Sequence, residues 1–452
     1  MLRIALAFVL STLPTAFLGA PRESERAALP TALFDIRGLG RTTLDELQTN
    51  IEARGWWAEL EDHLLVAMPA PELKALAQSL PLQQELGLHQ TDDFALQGRG
   101  CAISREHELP HLAMAGRFAL VLAPKSFAPP RWSLEWRPLE PNSIIASHSD
   151  NVARVPMKGS NSLAAQLASA VDANRWFADV SWLASYNRSS YDPALVNARD
   201  WIGSQFANLG LQVSYPSFTF ISTTSSNVLG VYPGTTLSDE WILVGGHYDS
   251  RNTSITSFSP TPGAEDNASG CAGVIELARV LTTVRPRRRV LFMCYAGEEQ
   301  GLYGSIAHVN GLQASSDLSR LKLALIMDMI GFSADADLDV LLESNGSTAN
   351  QAVIAQFAAA AASHSSSLRV LTSNNPFGSD HVPYINAGVP SLLTIENDWN
   401  VYGHYHKATD LPANMSNALA MGGGILKMNA AALAFYLGGV EPGGNIFANG
   451  FE

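Results

Sequence analysis

Cysteine is scarce in this sequence. Only Cys101, Cys271 and Cys294 stand among its 452 residues, and no two form a Cys-x-x-Cys pair, which excludes a zinc ribbon. An oxidising compartment would permit one bridge and leave one thiol over. Cys271 and Cys294 lie in apolar stretches, so buried free thiols and a bridge both stay open. Positive charge is also short: 29 Lys and Arg face 42 Asp and Glu, a net charge of −13. Phosphate binding needs a basic face, so nucleic acid is not an expected partner. The one basic run, "RPRRR" at 285–289, precedes a predicted strand and reads as a solvated loop. Long apolar runs are missing beyond the N-terminus, so no membrane span is expected there. The first twenty residues, "MLRIALAFVLSTLPTAFLGA", place Arg3 before an apolar stretch broken by Pro14. They read as a signal peptide, too short and broken to anchor well, and predict a secreted or periplasmic protein with no membrane after cleavage. At 46% hydrophobic and 16% charged residues, the chain can bury a large core.

The pattern along the chain divides it at 1–20 (signal peptide), 21–125, 126–162, 163–440 and 441–452 (a Gly-rich tail). Within 21–125, "GWWAELEDHLLVAMP" reads as a strand pair or long strand, "PELKALAQSL" as a helix and "RFALVLAP" as a strand. This predicts a small α+β domain with no concentrated polar chemistry. Residues 126–162 are rich in Pro, Ser and Asn and read as a linker, with Arg131, Arg137, Arg154 and Lys158 open to proteolysis. The N-terminal unit is expected to be a removable pro-segment, cut off between about 125 and 162, with a permanent accessory domain that binds substrate or partner as the alternative. From 163 on, buried strands such as "WILVGGHYDS", "RVLFMCYAGEE", "LKLALIMDMIG" and "PSLLTIEN" alternate with helical stretches. That predicts an α/β fold with a mixed, largely parallel central sheet between helices. Ligands of such sheets gather at the carboxyl ends of the strands.

Those ends carry the polar chemistry. His247 and Asp249 follow one strand, Glu298 and Glu299 another, and Asp328 stands inside the apolar run "LIMDMIG". The loop "TPGAEDNASG" brings Glu265 and Asp266 to a helix start, and "YGHYHKATD" brings His404, His406 and Asp410. A buried carboxylate such as Asp328 is costly unless paired or metal-bound. Imidazoles and carboxylates without cysteine form a nitrogen and oxygen ligand set that suits zinc. Adjacent glutamates leaving a strand point in different directions, so one can ligate a metal while the other stands over the attacking water.

The segments "GGHYDS", "PGAEDNASG", "CYAGEEQGLYGS", "MDMIG", "SDHVPYINAGVPS" and "YHKATD" follow one another in the order and spacing of the secreted bacterial zinc aminopeptidases, and 163–440 resembles that family. These are co-catalytic dizinc enzymes related to glutamate carboxypeptidase and the transferrin receptor ectodomain. The resemblance implies the zinc exopeptidase fold with an eight-stranded mixed sheet and two zinc ions. It makes Asp266 the bridging carboxylate, with His247 and Asp328 completing one zinc and Glu299 and His406 the other. Glu298 would be the general base and Asp249 would orient His247. His406 is favoured over His404 by the Tyr-His-x-x-x-Asp frame, with Asp410 in support. Some relatives place a cysteine and a tyrosine before "SDH"; here the stretch is "SNNPFGSDH", which leaves the carbonyl stabiliser unassigned, and Asp380 and His381 receive no role.

These features predict an exported dizinc aminopeptidase acting on peptides. Phe377, Val382, Tyr384, Ile385, Trp399 and Tyr402, with no Arg or Lys among 376–402, suggest a pocket for an apolar first side chain. A carboxypeptidase or dipeptidase on the same metal site, a glutaminyl-cyclase-like acyltransferase and a non-catalytic binding protein are the alternatives. The first would need a cationic clamp, the second a single zinc, and the third would be expected to have lost a ligand or Glu298.

Overall fold

Strands buried on both faces, as Trp56–Leu60 is, need cover on both sides, and the N-terminal domain supplies it with two sheets and two helices. The computed structural model describes residues 28–98, 111–116, 118–122, 136–146, 162–252, 260–374, 376, 378–399 and 401–441. The expected signal peptide, nearly all of the tail, Cys101, Arg131, Arg154, Lys158 and Phe377 lie outside the described residues. A five-stranded sheet runs in the spatial order Leu82–His89, Leu29–Asp35, His63–Ala67, Trp56–Leu60, Ser143–Ala146. On one face Ala32, Phe34, Leu64 and Val66 meet Leu44 and Ile51 of the helix Arg41–Glu52. On the other, Leu33, Ala58 and Leu65 meet Leu96, Phe118 and Leu120 of a four-stranded sheet. That second sheet has the order His111–Ala115, Phe118–Leu122, Phe94–Gly98, Trp136–Pro138.

Two segments expected in the linker are strands. Trp136–Pro138 pairs antiparallel with Phe94–Gly98, and Ser143–Ala146 pairs parallel with Trp56–Leu60. The Pro-rich composition hid them because both are short and stand at sheet edges, where proline is tolerated. The domain therefore continues to residue 146.

The second domain is built on eight strands: β1 (Gln212–Ser214), β2 (Val228–Tyr232), β3 (Leu237–His247), β4 (Arg288–Tyr295), β5 (Leu321–Met327), β6 (Leu338–Glu343), β7 (Leu368–Ser373) and β8 (Ser391–Glu396). Their spatial order is β1-β2-β4-β3-β5-β8-β6-β7. The central four, β4, β3, β5 and β8, are parallel, while β2 and β6 flank them antiparallel. Its helices are α1 (Ser162–Ser169), α2 (Ala173–Leu183), α3 (Leu195–Asn208), α4 (Gly270–Leu281), α5 (Tyr303–Ala314), α6 (Thr348–His364), α7 (His381–Asn386) and α8 (Ala418–Tyr436). Val244, Phe292 and Leu325 face the core under α1, α2, α3, α4, α6 and α8. Leu243, Met293 and Ile326 face the other way, towards α5 and α7. The mixed sheet between helices is the expected architecture.

The helical stretch read through 163–183 is two helices, α1 and α2. Asp172 caps the second, its carboxylate accepting from the amides of Asn174 and Arg175. Gly210, with φ +76°, ends the approach from α3. One expectation is corrected: α8, at 19 residues, is long and apolar enough to cross a membrane. It is instead mostly buried inside the domain, against α1 and α6. Cys271 in α4 and Cys294 in β4 form a disulfide with a Cα–Cα distance of 5.9 Å. The two domains meet where Arg369 of β7, paired with Asp339, also lies 3.6 Å from Asp62.

Candidate active site

The chain goes from β3 outward to β4 and then returns to the other side of β3 as β5. That reversal opens a crevice at the carboxyl end of β3. His247 is the last residue of β3. Gly297, at φ +70°, turns the chain after β4 and delivers Glu298 and Glu299. Asp328 follows β5 directly, and the segment after β8 carries His406 and Asp410.

Asp266 arrives on the loop before α4, and its neighbours fix that loop. The Asp410 carboxylate accepts from the amides of Glu265 (2.9 Å) and Asp266 (3.0 Å) and from the Tyr402 hydroxyl (2.8 Å). Asn267, joined to Asp266 by a cis peptide, accepts from the amides of Gly270 and Met329 and donates to the Met327 carbonyl. Arg188 ties the same loop to β3. Its guanidinium donates to the carbonyls of Tyr248 (2.7 Å), Leu183 (2.6 Å), Pro262 (2.6 Å) and Gly263 (2.7 Å), with the side chain wholly buried.

The expected residues converge. His247 Nε2 lies 3.4 Å from Asp266 Oδ1, 3.5 Å from Asp328 Oδ1 and 3.8 Å from Glu298 Oε2. His406 Nε2 lies 2.9 Å from Asp266 Oδ2 and 3.4 Å from Glu299 Oε2. One carboxylate, Asp266, thus faces two imidazoles with its two oxygens. Ligand atoms of His247, Glu298 and Asp328 fall within 4.8 Å of one another, as do those of His247, Asp266 and Glu299. All are buried, His406 the least at 9% exposed.

The donor set fits a metal. Both oxygens of Glu298, Asp266 Oδ1, Glu299 Oε1 and His247 Nε2 are buried without a hydrogen-bond partner. Such groups are costly to bury unless a cation satisfies them. Burial pushes the Glu298 carboxyl well above its usual range; His247 opposes the shift, and the charges of Glu299 and Asp328 reinforce it. Burial also disfavours charging His247, but Glu298 and Asp328 outweigh it and lift that imidazole well above its usual value. Burial works against ionising Asp266 too, yet His247 and His406 hold its pKa down.

The remaining expected residues sort clearly. His404 is turned away, with Nδ1 3.0 Å from the Thr409 hydroxyl, so His406, not His404, joins His247 at the site. Asp249 lies beside His247, but its backbone carbonyl is the nearer group to Nδ1, at 3.1 Å against 3.5 Å for the carboxylate. That carboxylate also accepts from the Ser190 hydroxyl (2.7 Å) and the Gly297 amide (3.0 Å), so it braces the turn before Glu298. Glu265 holds the amides of Gly331 and Phe332 and is a structural carboxylate. Among the expected pocket residues, Tyr384 is tied to Tyr295 in the interior and Tyr402 to Asp410. Tyr405 stacks on His406 with centroids 3.7 Å apart and meets Trp399 edge-on.

Four participants were missed in the sequence. Ser379, which donates to Asp328 Oδ2 at 2.7 Å, stands in the "SDH" motif and was within reach. Ser190, Arg188 and Arg251 sit in polar loops without any pattern. Arg251 is 5% exposed, with Nε 3.0 Å from Glu299 and Nη2 2.7 Å from His406 Nδ1.

Residues 227–425, which contain every one of these acidic and imidazole groups, match the model of peptidase family M28. The domain belongs to peptidase family M28. Aminopeptidase YwaD of Bacillus subtilis is 31% identical over 180 residues, 40% of this chain and 37% of that protein. The zinc aminopeptidase BSAP from Bacillus subtilis shares the M28 domain's fold, with a TM-score of 0.52 and 17% identity over 60% of this chain and 96% of that one. LapB from Legionella pneumophila matches at a TM-score of 0.51 and 17% identity over 90% of this chain and 98% of its own, so the shared fold takes in the N-terminal domain as well. This chain spans between 24% and 61% of the length of the first curated relatives it matches.

Proposed function

We propose that this M28 domain is an exported aminopeptidase with two zinc ions, hydrolysing the N-terminal bond of peptides. The observation that carries this reading is Asp266, with one oxygen towards His247 and the other towards His406. His247, Asp266 and Asp328 would hold one zinc, and Asp266, Glu299 and His406 the other. Zinc held there supplies Lewis-acid polarisation of the scissile carbonyl and of the attacking water. The similarity to an aminopeptidase at 31% identity supports the peptidase class.

Glu298 stands on the Asp328 side of His247, buried and with both oxygens uncommitted. Burial raises its proton affinity, as a general base and acid near neutral pH requires. It accepts a proton from water as the oxygen adds to the carbonyl carbon. It returns that proton to the nitrogen as the C–N bond breaks. The Gly297 turn fixes its backbone, because a Cβ at Gly297 would meet Phe218 and Tyr303 at 3.2–3.3 Å. The Tyr405 ring, stacked on His406 and half-buried, offers an apolar wall at the centre and supports a preference for an apolar first residue. Peptides with free and acetylated N-termini test the reading. Cleavage of only the free series, one residue at a time, is expected. Equal cleavage of both, or release from the carboxyl end, would refute it.

A further inference from the structure

The two imidazoles of the centre are held in opposite ways. His247 Nδ1 faces two acceptors of Asp249, the backbone carbonyl at 3.1 Å and the carboxylate at 3.5 Å. Both favour a proton on Nδ1, which leaves the Nε2 lone pair aimed at the space shared with Asp266 and Asp328. His406 Nδ1 instead faces Arg251 Nη2 at 2.7 Å. A guanidinium only donates, so Nδ1 must accept and the ring carries its proton on Nε2. Nε2 is the atom directed at Asp266 and Glu299. A ligating imidazole needs a lone pair there, not a proton. Arg251 also lies 3.0 Å from Glu299, the carboxylate on that same side. It therefore supplies both positive charge to the carboxylate and the wrong tautomer to the imidazole.

We propose that Arg251 is a positioning residue that latches the Glu299–His406 half of the centre and makes the two metal positions unequal. The His247–Asp328 position fills first. The Glu299–His406 position fills only when Arg251 gives up His406 Nδ1. The ring proton then moves from Nε2 to Nδ1, and the ion takes over the charge that Arg251 gave to Glu299. This rests on the dinuclear reading above and adds to it an order of loading and the residue that imposes it. The fixed charge is inseparable from the hydrogen bond in Arg251, but two substitutions separate them. Arg251→Met keeps the length of the side chain and removes both. Arg251→Lys keeps the charge, without the fork that reaches two partners at once.

The test is a titration of the whole, chelator-stripped chain with Zn²⁺, followed by calorimetry, and with Co²⁺, followed by its visible absorption. Wild type should bind two ions in separate steps, the second at least about tenfold weaker than the first. In Arg251→Met the second step should tighten by about tenfold or more while the first moves by less than about threefold. Arg251→Lys should fall between, and it carries the test if the Met variant does not fold. The stripped Arg251→Met protein should also melt lower than stripped wild type, because Glu299 loses its partner, and should gain more on zinc addition. Two equal steps in wild type would overturn the latch and leave the dinuclear centre standing, as would a second step that weakens in Arg251→Met. A single ion in wild type and in both variants would overturn the dinuclear reading itself, and the latch with it.

Discussion

Replacing Arg188 by Met removes the donor for four carbonyl oxygens in one step. Those oxygens belong to the end of α2, the residue after β3 and the loop that leads to Asp266, so no single element is responsible for the effect. The cation itself is costly to keep: burial lowers its pKa to about 10, with Asp410 and Asp249 opposing. That shift corresponds to roughly 3 kcal/mol against the charged form. Each charge-assisted bond is worth at least roughly 1.5 kcal/mol. Four bonds set against that cost leave a net loss of about 3 kcal/mol, or a fall in melting temperature of roughly 5–10 °C for a domain of this size. The carbonyls of Tyr248 and Gly263 flank His247 and the Asp266 loop, so zinc affinity should also fall, by about 10–100-fold. Thermal melts with zinc and with chelator, beside metal content by elemental analysis, read the two effects. A Met variant that melts within 2 °C of wild type and keeps its metal would refute this account of how the loop is held.

Glu298→Gln should keep its metal and lose about 10²–10⁴-fold in turnover on an aminoacyl chromogenic substrate; near-normal turnover would take the base role away from it. Glu299→Gln should instead lose metal, so that excess zinc restores part of its activity. Asp249→Asn should lower activity by about tenfold and shift metal affinity less than loss of a ligand, because the backbone carbonyl still faces His247. His308, whose Nδ1 lies 2.5 Å from the Tyr384 hydroxyl, has its pKa pushed down by burial to about 4. Its stabilising contribution is complete above the unfolded value near 6.5 and is lost as pH falls towards 4. Urea melts should therefore show about 1 kcal/mol lost between pH 7 and pH 5 in wild type, allowing for partial exposure, and less in His308→Asn.

His247, Glu298, Glu299 and Asp328 were legible because they close apolar runs, where a parallel sheet concentrates its chemistry, whereas Asp266 and His406 stand in polar loops and were placed by the family resemblance. Asp328 illustrates this: a carboxylate closing "LALIM" has no inexpensive place to go except a cation or a tight partner. The sheet was legible for the same reason, since β3, β4, β5 and β8 are continuous hydrophobic strands between helices. Arg188, Ser190 and Arg251 were not. Arg188 reaches Gly263 across 75 residues of sequence, Ser190 meets Gly297 across 107 and Arg251 meets His406 across 155, contacts that leave no local period. Residues 376–402 carry no Arg or Lys, and the cationic side chain at the centre, Arg251, comes instead from the segment after β3, two residues past Asp249. The pocket residues misled in the opposite direction. Tyr384 and Tyr402 are aromatic and near in sequence, but their hydroxyls are engaged behind the centre rather than facing a ligand. Trp136–Pro138 and Ser143–Ala146 were hidden by composition, because a three- or four-residue edge strand carries too few residues for alternation to register.

Those two edge strands change what a proteolytic cut would accomplish. The chain leaves the four-stranded sheet after Leu122, then returns at Trp136 to pair with Phe94–Gly98 and at Ser143 to pair with Trp56–Leu60. A cut at Arg131 would divide the polypeptide but not the folded body, since the downstream piece keeps two strands clasped in the sheets of the upstream piece. The product would run as two bands under denaturing conditions and as one particle on a native column. Only a cut after residue 146, at Arg154 or Lys158, would leave the N-terminal domain with all of its strands and let it separate. A cut before Trp136 and a cut after Ala146 would thus differ in outcome, although fewer than thirty residues of sequence separate Arg131 from Lys158.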